Sequence, residues 1–372
     1  MDKWRVALIG CGGIAHGKHL PALAAREDVK LVGFCDLELD RARRAAVQYG
    51  TPDAIVTTDY RAVLTPAVDI VYVLTTNDAH AALSIAALEA GKHVLCEKPM
   101  AVTSAEAEAM VAAAKTAGKI LTVGFQSRFR ADVQYLKQLC DAGELGHIYF
   151  AKALAVRRRG VPTWGSFLSR AKQGGGPLID IGSHALDLTL WLMNNYAPRV
   201  VMGATHHELA REPHPANAWG PWDPAAFTVE EAAFGMIQMA NGATILLEAT
   251  WALNTLDVGE AQAVLCGTKA GADMKDGLRI NGEHHGRLYT FTPEMSGGGV
   301  AFFAARTPED TGRLEIEHFL RAVRGEAEPV VKPEETLVVT RILEALYQSA
   351  ERGEPVFLAS PPGGTPHGGP AS

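Results

Sequence analysis

No apolar run in the 372-residue sequence approaches the roughly 18 residues that a membrane-crossing helix needs. The chain opens Met1-Asp2-Lys3-Trp4 and passes directly into a strand-like run, without the apolar segment and cleavage site of an export signal. Neither a membrane span nor export is expected. A basic excess is missing as well: 35 Lys and Arg stand against 42 Asp and Glu, a formal charge of -7. Phosphate backbones and anionic lipids are held largely by positive charge, which argues against nucleic acid and membrane surfaces as partners. Cysteine is scarce too. Cys11, Cys35, Cys96, Cys140 and Cys266 are odd in number, widely spaced and contain no Cys-x-x-Cys. Free thiols in a reducing cytoplasm are the expectation, rather than a disulfide framework. No internal repeat is visible, and Ser183 lacks the Gly-x-Ser-x-Gly setting of a nucleophile.

What is present is the balance of a globular chain, 47% hydrophobic and 21% charged, long enough for two domains of roughly 150 residues each. Over residues 1–124, short apolar runs at 5–9, 29–35, 54–56, 68–74, 93–96 and 120–124 alternate with stretches of helical spacing at 38–49, 78–90 and 103–117. Strands covered by helices on both faces read as unbroken apolar runs, so this part is α/β, an N-terminal doubly wound parallel sheet of the Rossmann type. From 125 to 358 the pattern becomes α+β. A helix at 131–142 precedes strand-like runs at 148–157, 200–205, 232–239, 244–251 and 261–266, with Asn241-Gly242 as a hairpin signal and late helices at 312–324 and 333–352. A C-terminal open-sheet domain, mainly antiparallel, is expected. Residues 359–372, rich in Gly and Pro, offer nothing large to bury and are expected to form a disordered tail.

Gly10-Cys11-Gly12-Gly13-Ile14-Ala15 follows the first strand and opens a helix. In that setting glycines permit the tight turn and let backbone N–H groups reach a pyrophosphate, which makes the segment a dinucleotide site. Asp36 ends the second strand, where a carboxylate accepts from ribose hydroxyls and repels a 2'-phosphate, so NAD is the expected cofactor rather than NADP. Arg41, with Arg43 and Arg44 beside it, is the counter-signal, read either as a cofactor contact or as a solvated helix face.

Two further segments carry reactive groups. Lys98, in Cys96-Glu97-Lys98-Pro99, stands at the carboxyl end of a parallel strand, the side on which such sheets bind ligands. Asp180 and His184 lie four apart at the start of an apolar helix, with Pro177 suited to its first turn and Gly182 leaving room for a ring to approach. Taken together, the glycine loop, Thr75-Thr76-Asn77-Asp78-Ala79-His80, Glu97-Lys98-Pro99 and Asp180-x-Gly182-x-His184-x-x-Asp187 resemble the glucose-fructose oxidoreductase and inositol dehydrogenase family, Gfo/Idh/MocA. Thr76 departs from it, standing where many relatives have Pro.

That resemblance implies a second domain for substrate and oligomer contacts, with the chain assembled as a homodimer or homotetramer. It implies Lys98, Asp180 and His184 as the catalytic groups, Asp187 as an orienting or structural carboxylate, and Thr75, Asn77, His80, Glu97 and Lys98 near the cofactor. The implied substrate is a sugar or cyclitol. Arg157-Arg158-Arg159-Gly160-Val161-Pro162-Thr163-Trp164, Trp222-Asp223-Pro224 and Cys266-Gly267-Thr268-Lys269 further resemble the branch containing bacterial glucoside 3-dehydrogenases, which implies hydride transfer at C3 of a glucoside. NAD-dependent cleavage of glycosides through transient oxidation at C3 is the alternative. Arg157 and Trp164 are read as walls of the sugar pocket, since an aromatic face packs well against sugar C–H bonds. The pairs His206-His207 and His284-His285 lack a carboxylate or Cys at ligand spacing, and adjacent histidines are expected to point apart, so no metal is expected.

Overall fold

The computed structural model describes residues 3–212, 216–295 and 310–359, in two compact units. The tail expected to be disordered lies outside the described residues from 360 onward. No helix among the described residues is long and apolar enough to cross a membrane.

The first unit holds six parallel strands: β1 (Trp4–Ile9), β2 (Val29–Cys35), β3 (Ile55–Thr57), β4 (Ile70–Val73), β5 (His93–Cys96) and β6 (Leu121–Val123). Their order is β3-β2-β1-β4-β5-β6, the doubly wound arrangement. The apolar runs are explained by their cover. Val6, Leu8, Leu31, Phe34, Ile70, Tyr72 and Leu95 share one core with Leu20 and Leu23 of the first helix. Ile316, Phe319 and Leu320, from the helix Thr311–Val323, complete the same core. By its packing the first unit comprises the chain up to Phe129 together with Asp310–Leu337.

Among the described residues the second unit has nine strands: β7 (Ile148–Val156), β8 (Pro198–His206), β9 (Ala232–Met239), β10 (Thr244–Thr250), β11 (Gly259–Gly267), β12 (Ala270–Asp273), β13 (Arg279–His284), β14 (Arg287–Phe291) and β15 (Val356–Phe357). Their order is β14-β13-β12-β11-β7-β10-β9-β8-β15. The sheet is mainly antiparallel, as expected, and is mixed because β7 and β10 pair in parallel at its middle. The cause is topological. The helix Ser183–Met193 carries the chain back between β7 and β8, and the meander β8-β9-β10 then sets β10 alongside β7. Asn241-Gly242 does turn the β9-β10 hairpin, with Gly242 at a φ of 88°.

Gly203 of β8 and Gly235 of β9 are register partners, and the fully buried Leu346 of the helix Pro333–Arg352 sits on both. A Cβ on Gly203 would lie 2.5 Å from Leu346 Cγ. Gly203→Ala is therefore expected to destabilise the protein by about 1–3 kcal/mol through overpacking, read as a lower urea midpoint. An unchanged midpoint would mean that the helix seat yields.

Candidate active site

At the end of β1 the chain must pass so close to Leu74 that a Cβ on Gly10 would stand 2.4 Å from its carbonyl oxygen, and Gly10 has a φ of 100°. Only glycine fits there. Gly12 and Gly13, by contrast, have nothing within 4 Å of a would-be Cβ, which leaves their backbone open to an approaching phosphate. Ile14 caps the helical segment that begins at Ala15, a π-turn over Ala15–His19 followed by α-helix over Leu20–Ala24. Asp36 is drawn to this loop: one carboxylate oxygen accepts from Cys11 N at 2.8 Å and the other from Glu38 N at 2.9 Å. Each oxygen keeps a further lone pair for ribose hydroxyls. Loop, helix start and anchored carboxylate together fit NAD. Arg41 is exposed, its guanidinium 2.7 Å from Glu38.

Beyond β5, Glu97 accepts from Lys18 Nζ at 2.9 Å and lies 2.8 Å from His19 Nε2, while its second oxygen takes Lys98 N at 3.1 Å. Lys18 reaches on to Glu315 at 2.7 Å. Gly124 permits this packing, since a Cβ there would meet the Glu97 carboxylate at 2.9 Å. Burial works to raise the Glu97 pKa, but Lys18 and His19 outweigh it and hold the group well below the usual carboxylate range. Burial also opposes the charge on Lys18, yet the Glu315 and Glu97 carboxylates raise its pKa. His19 is pushed down by burial. The Glu97 carboxylate is thus buried and also accepts from the backbone of Lys98. His80 is likewise buried, with Nδ1 2.7 Å from Pro99 O and Nε2 3.2 Å from Thr75 O, tying the two loops together. Asn77 is buried and Thr75 half-buried. Lys98 itself is half-buried.

In the second unit, Asp180 and His184 occupy successive turns, but the first of these is π-helical (Leu178–Gly182) before the α-helix Ser183–Met193 takes over. Gly182 has a different purpose from the one read in the sequence. It is buried against β10, where a Cβ would meet Ala249 Cβ at 2.8 Å, so it permits helix-strand packing and leaves no opening for a ring. Asp187 is fully buried. The start of the helix is held by Glu230, which nothing in the sequence singled out. Its carboxylate accepts from Gly176 N at 3.0 Å, Leu178 N at 3.3 Å and the Tyr347 hydroxyl at 2.7 Å. Gly175 and Gly176 are required by this cluster: Cβ atoms there would collide with the Tyr347 hydroxyl and the Glu230 carbonyl. The Asp180 carboxylate, half-buried, accepts from the indole Nε1 of Trp251 at 3.1 Å.

Arg157 is paired with Glu260, with Nη2 2.8 Å from Oε2, and also donates to Gly160 O. Trp164 is exposed and meets Trp219 edge-on with ring centroids 5.1 Å apart. At the turn between β13 and β14, the rings of His284 and His285 lie 4.2 Å apart rather than pointing away from each other, because His285 takes a φ of 51°. Among the described residues no group of three or more His, Cys, Asp or Glu is placed to hold a metal ion.

The Glu97 pKa sits below its ordinary value of 4.5, so its pairing adds stability that is complete above that pH and is lost as pH falls through the folded value. Glu97→Gln should lower the melting temperature at neutral pH and flatten its decline below pH 4.5; an acid limb as steep as the wild type's would contradict the assignment. Asp36→Ser is expected to weaken NAD binding by about tenfold to a hundredfold and to narrow the preference over NADP, measured by nucleotide titration. Wild-type protein binding NADP as tightly as NAD would shift specificity to the Arg41 region.

The model of the oxidoreductase family with an NAD-binding Rossmann fold matches residues 4–125, and that of the family's C-terminal alpha/beta domain matches residues 137–358. The chain is 36% identical over 356 residues to D-glucoside 3-dehydrogenase of Escherichia coli K12, covering 95% of this chain and 97% of that protein. Among solved structures it is similar to an oxidoreductase domain protein from Kribbella flavida, at a TM-score of 0.82 and 26% identity over 97% of this chain and all of that one. It is also similar to an aldose-aldose oxidoreductase from Caulobacter crescentus complexed with glycerol, at a TM-score of 0.76 and 27% identity, covering 96% of this chain and 100% of that one. With both parts matched, and with the glycine loop and Asp36 arranged for a dinucleotide, the chain belongs to the Gfo/Idh/MocA family of NAD-binding oxidoreductases.

Proposed function

We propose that the protein is an NAD-dependent dehydrogenase acting on a carbinol of a sugar, C3 of a glucoside, with Lys98, Asp180 and His184 as its catalytic groups. The observation that carries this reading is the fixed pair Asp180 and His184, on a helix start clamped by Glu230 and with Asp180 held by Trp251. The similarity to a D-glucoside 3-dehydrogenase across nearly the whole chain supports the substrate and the carbon. Bound NAD supplies the hydride acceptor, or as NADH the donor. His184 takes the hydroxyl proton, a role suited to imidazole because its ordinary pKa lies near neutrality. Lys98 places a positive charge against the developing alkoxide, and a braced backbone limits the reorganisation that this requires. Asp180, its carboxylate oriented by Trp251, orients the substrate hydroxyls.

Purified protein should reduce NAD in the presence of a glucoside, yield a 3-keto product by NMR, and bind a 3-deoxyglucoside without turning it over. Release of the aglycone without net NADH would favour the cleaving alternative, and oxidation at another carbon would overturn the C3 assignment. In single-turnover hydride transfer, His184→Ala should lose about 10² to 10⁴-fold and Lys98→Met about 10²-fold or more. Because both act on one oxygen, the double variant should lose much less than the product of the two. A near-wild-type rate in either folded, NAD-saturated variant would remove that residue from the mechanism.

A further inference from the structure

Trp164 and Trp219 are both about half exposed, at 53% and 46%. Large apolar rings left in water at the tips of loops are ordinarily mobile, yet these two sit on backbone that is pinned. Val161 N donates to Asn217 Oδ1 at 2.9 Å and Asn217 Nδ2 returns a bond to Val161 O at 2.9 Å. Thr163 Oγ1 donates to Trp219 O at 2.8 Å, and Ala218 N to Arg159 O at 3.2 Å. The Trp219 ring is further held by the Arg157 guanidinium, 5.2 Å from its centroid and itself fixed by Glu260. A pair of rings ordered before anything binds loses little conformational freedom on binding.

The pair is also continuous with Asp180. Trp164 packs edge-on against Phe167 at 5.9 Å, Phe167 against Trp251 at 6.3 Å, and Trp251 donates its indole N–H to the Asp180 carboxylate. This wall is buried at Trp251, half-buried at Phe167 and exposed at Trp164 and Trp219. Two ring steps separate its open end from the indole that holds Asp180.

We propose that Trp164 and Trp219 form a second ring-binding subsite, which takes the aglycone of a glycoside whose sugar is held at Asp180. The inference rests on the sugar-dehydrogenase reading above and narrows it to glycosides bearing a ring aglycone, aryl or pyranose, over free monosaccharides and methyl glycosides. Aromatic faces recognise either kind of ring through the C–H or π surface it presents.

Phenyl and methyl D-glucopyranosides of each anomer, with cellobiose and maltose as the sugar aglycones, are the probes. Wild-type kcat/KM should favour at least one ring-bearing glycoside over its methyl counterpart by about threefold to tenfold, carried mainly by KM. Trp219→Ala should abolish most of that preference, while Trp219→Phe, which keeps a ring, should retain most of it. A wild type indifferent to the aglycone, or a Trp219→Ala loss equal for phenyl and methyl glucosides, overturns the subsite. Calorimetric binding of phenyl and methyl 1-thio-D-glucopyranosides separates this from the parent reading. Phenyl-selective binding that needs Trp219, without NADH formation from any glycoside, keeps the subsite and overturns the dehydrogenase assignment. Failure of the phenyl thioglucosides to bind more tightly than the methyl ones, with no preference for cellobiose or maltose either, overturns the subsite.

Discussion

A carboxylate removed from water has to be met by donors, and the Glu97 cluster shows how much of the first unit is arranged around that need. An unpaired buried charge costs several kcal/mol, so Lys18, His19 and the Lys98 amide are constrained to converge on one side chain. Three pieces of chain meet there: the helix after the glycine loop, the turn after β5 and, through Glu315, the helix Thr311–Val323. The same charge that must be satisfied thereby ties the backbone of Lys98 to the helix that opens at the nucleotide loop.

The second unit repeats the device with different partners. Glu230 is buried, and its carboxylate takes the orphan N–H groups at the start of the helical segment bearing Asp180 and His184, a remote substitute for a capping residue. Tyr347 donates a further bond. Both units therefore hold the backbone beside a proposed catalytic side chain on a buried carboxylate. Gly124, Gly175 and Gly176 are the space that Glu97 and Glu230 need.

How much of this was legible in the sequence depended on the range of the interaction. Strands of the first sheet were readable because their cover on both faces writes an unbroken apolar run, and the glycine loop because its constraint is local. The short strands β12 to β15 escaped notice: β13 carries Asn281-Gly282 and β15 is two residues long, too little for a period to register. Glu230 was invisible because its partners lie 54 and 117 residues away, and Lys18 because Glu97 lies 79 residues on. Gly182 was noticed for the right position and the wrong reason, since its neighbour Ala249 comes from a strand that no local pattern connects to it.

The membership of Asp310–Leu337 in the first unit has a consequence for how the chain is made. During synthesis the six-stranded sheet emerges early, yet Leu20, Leu23 and Tyr72 must wait for Ile316, Phe319 and Leu320 before their core is closed. Lys18 waits as long for Glu315. Unlike a domain that folds as soon as it leaves the ribosome, this nucleotide-binding unit stays unfinished until strands β7 to β14 of the second unit have been translated. The order of assembly is thus set by the last sixth of the chain rather than the first third, and a nascent chain stalled before that helix would display its apolar seam to whatever chaperone is at hand.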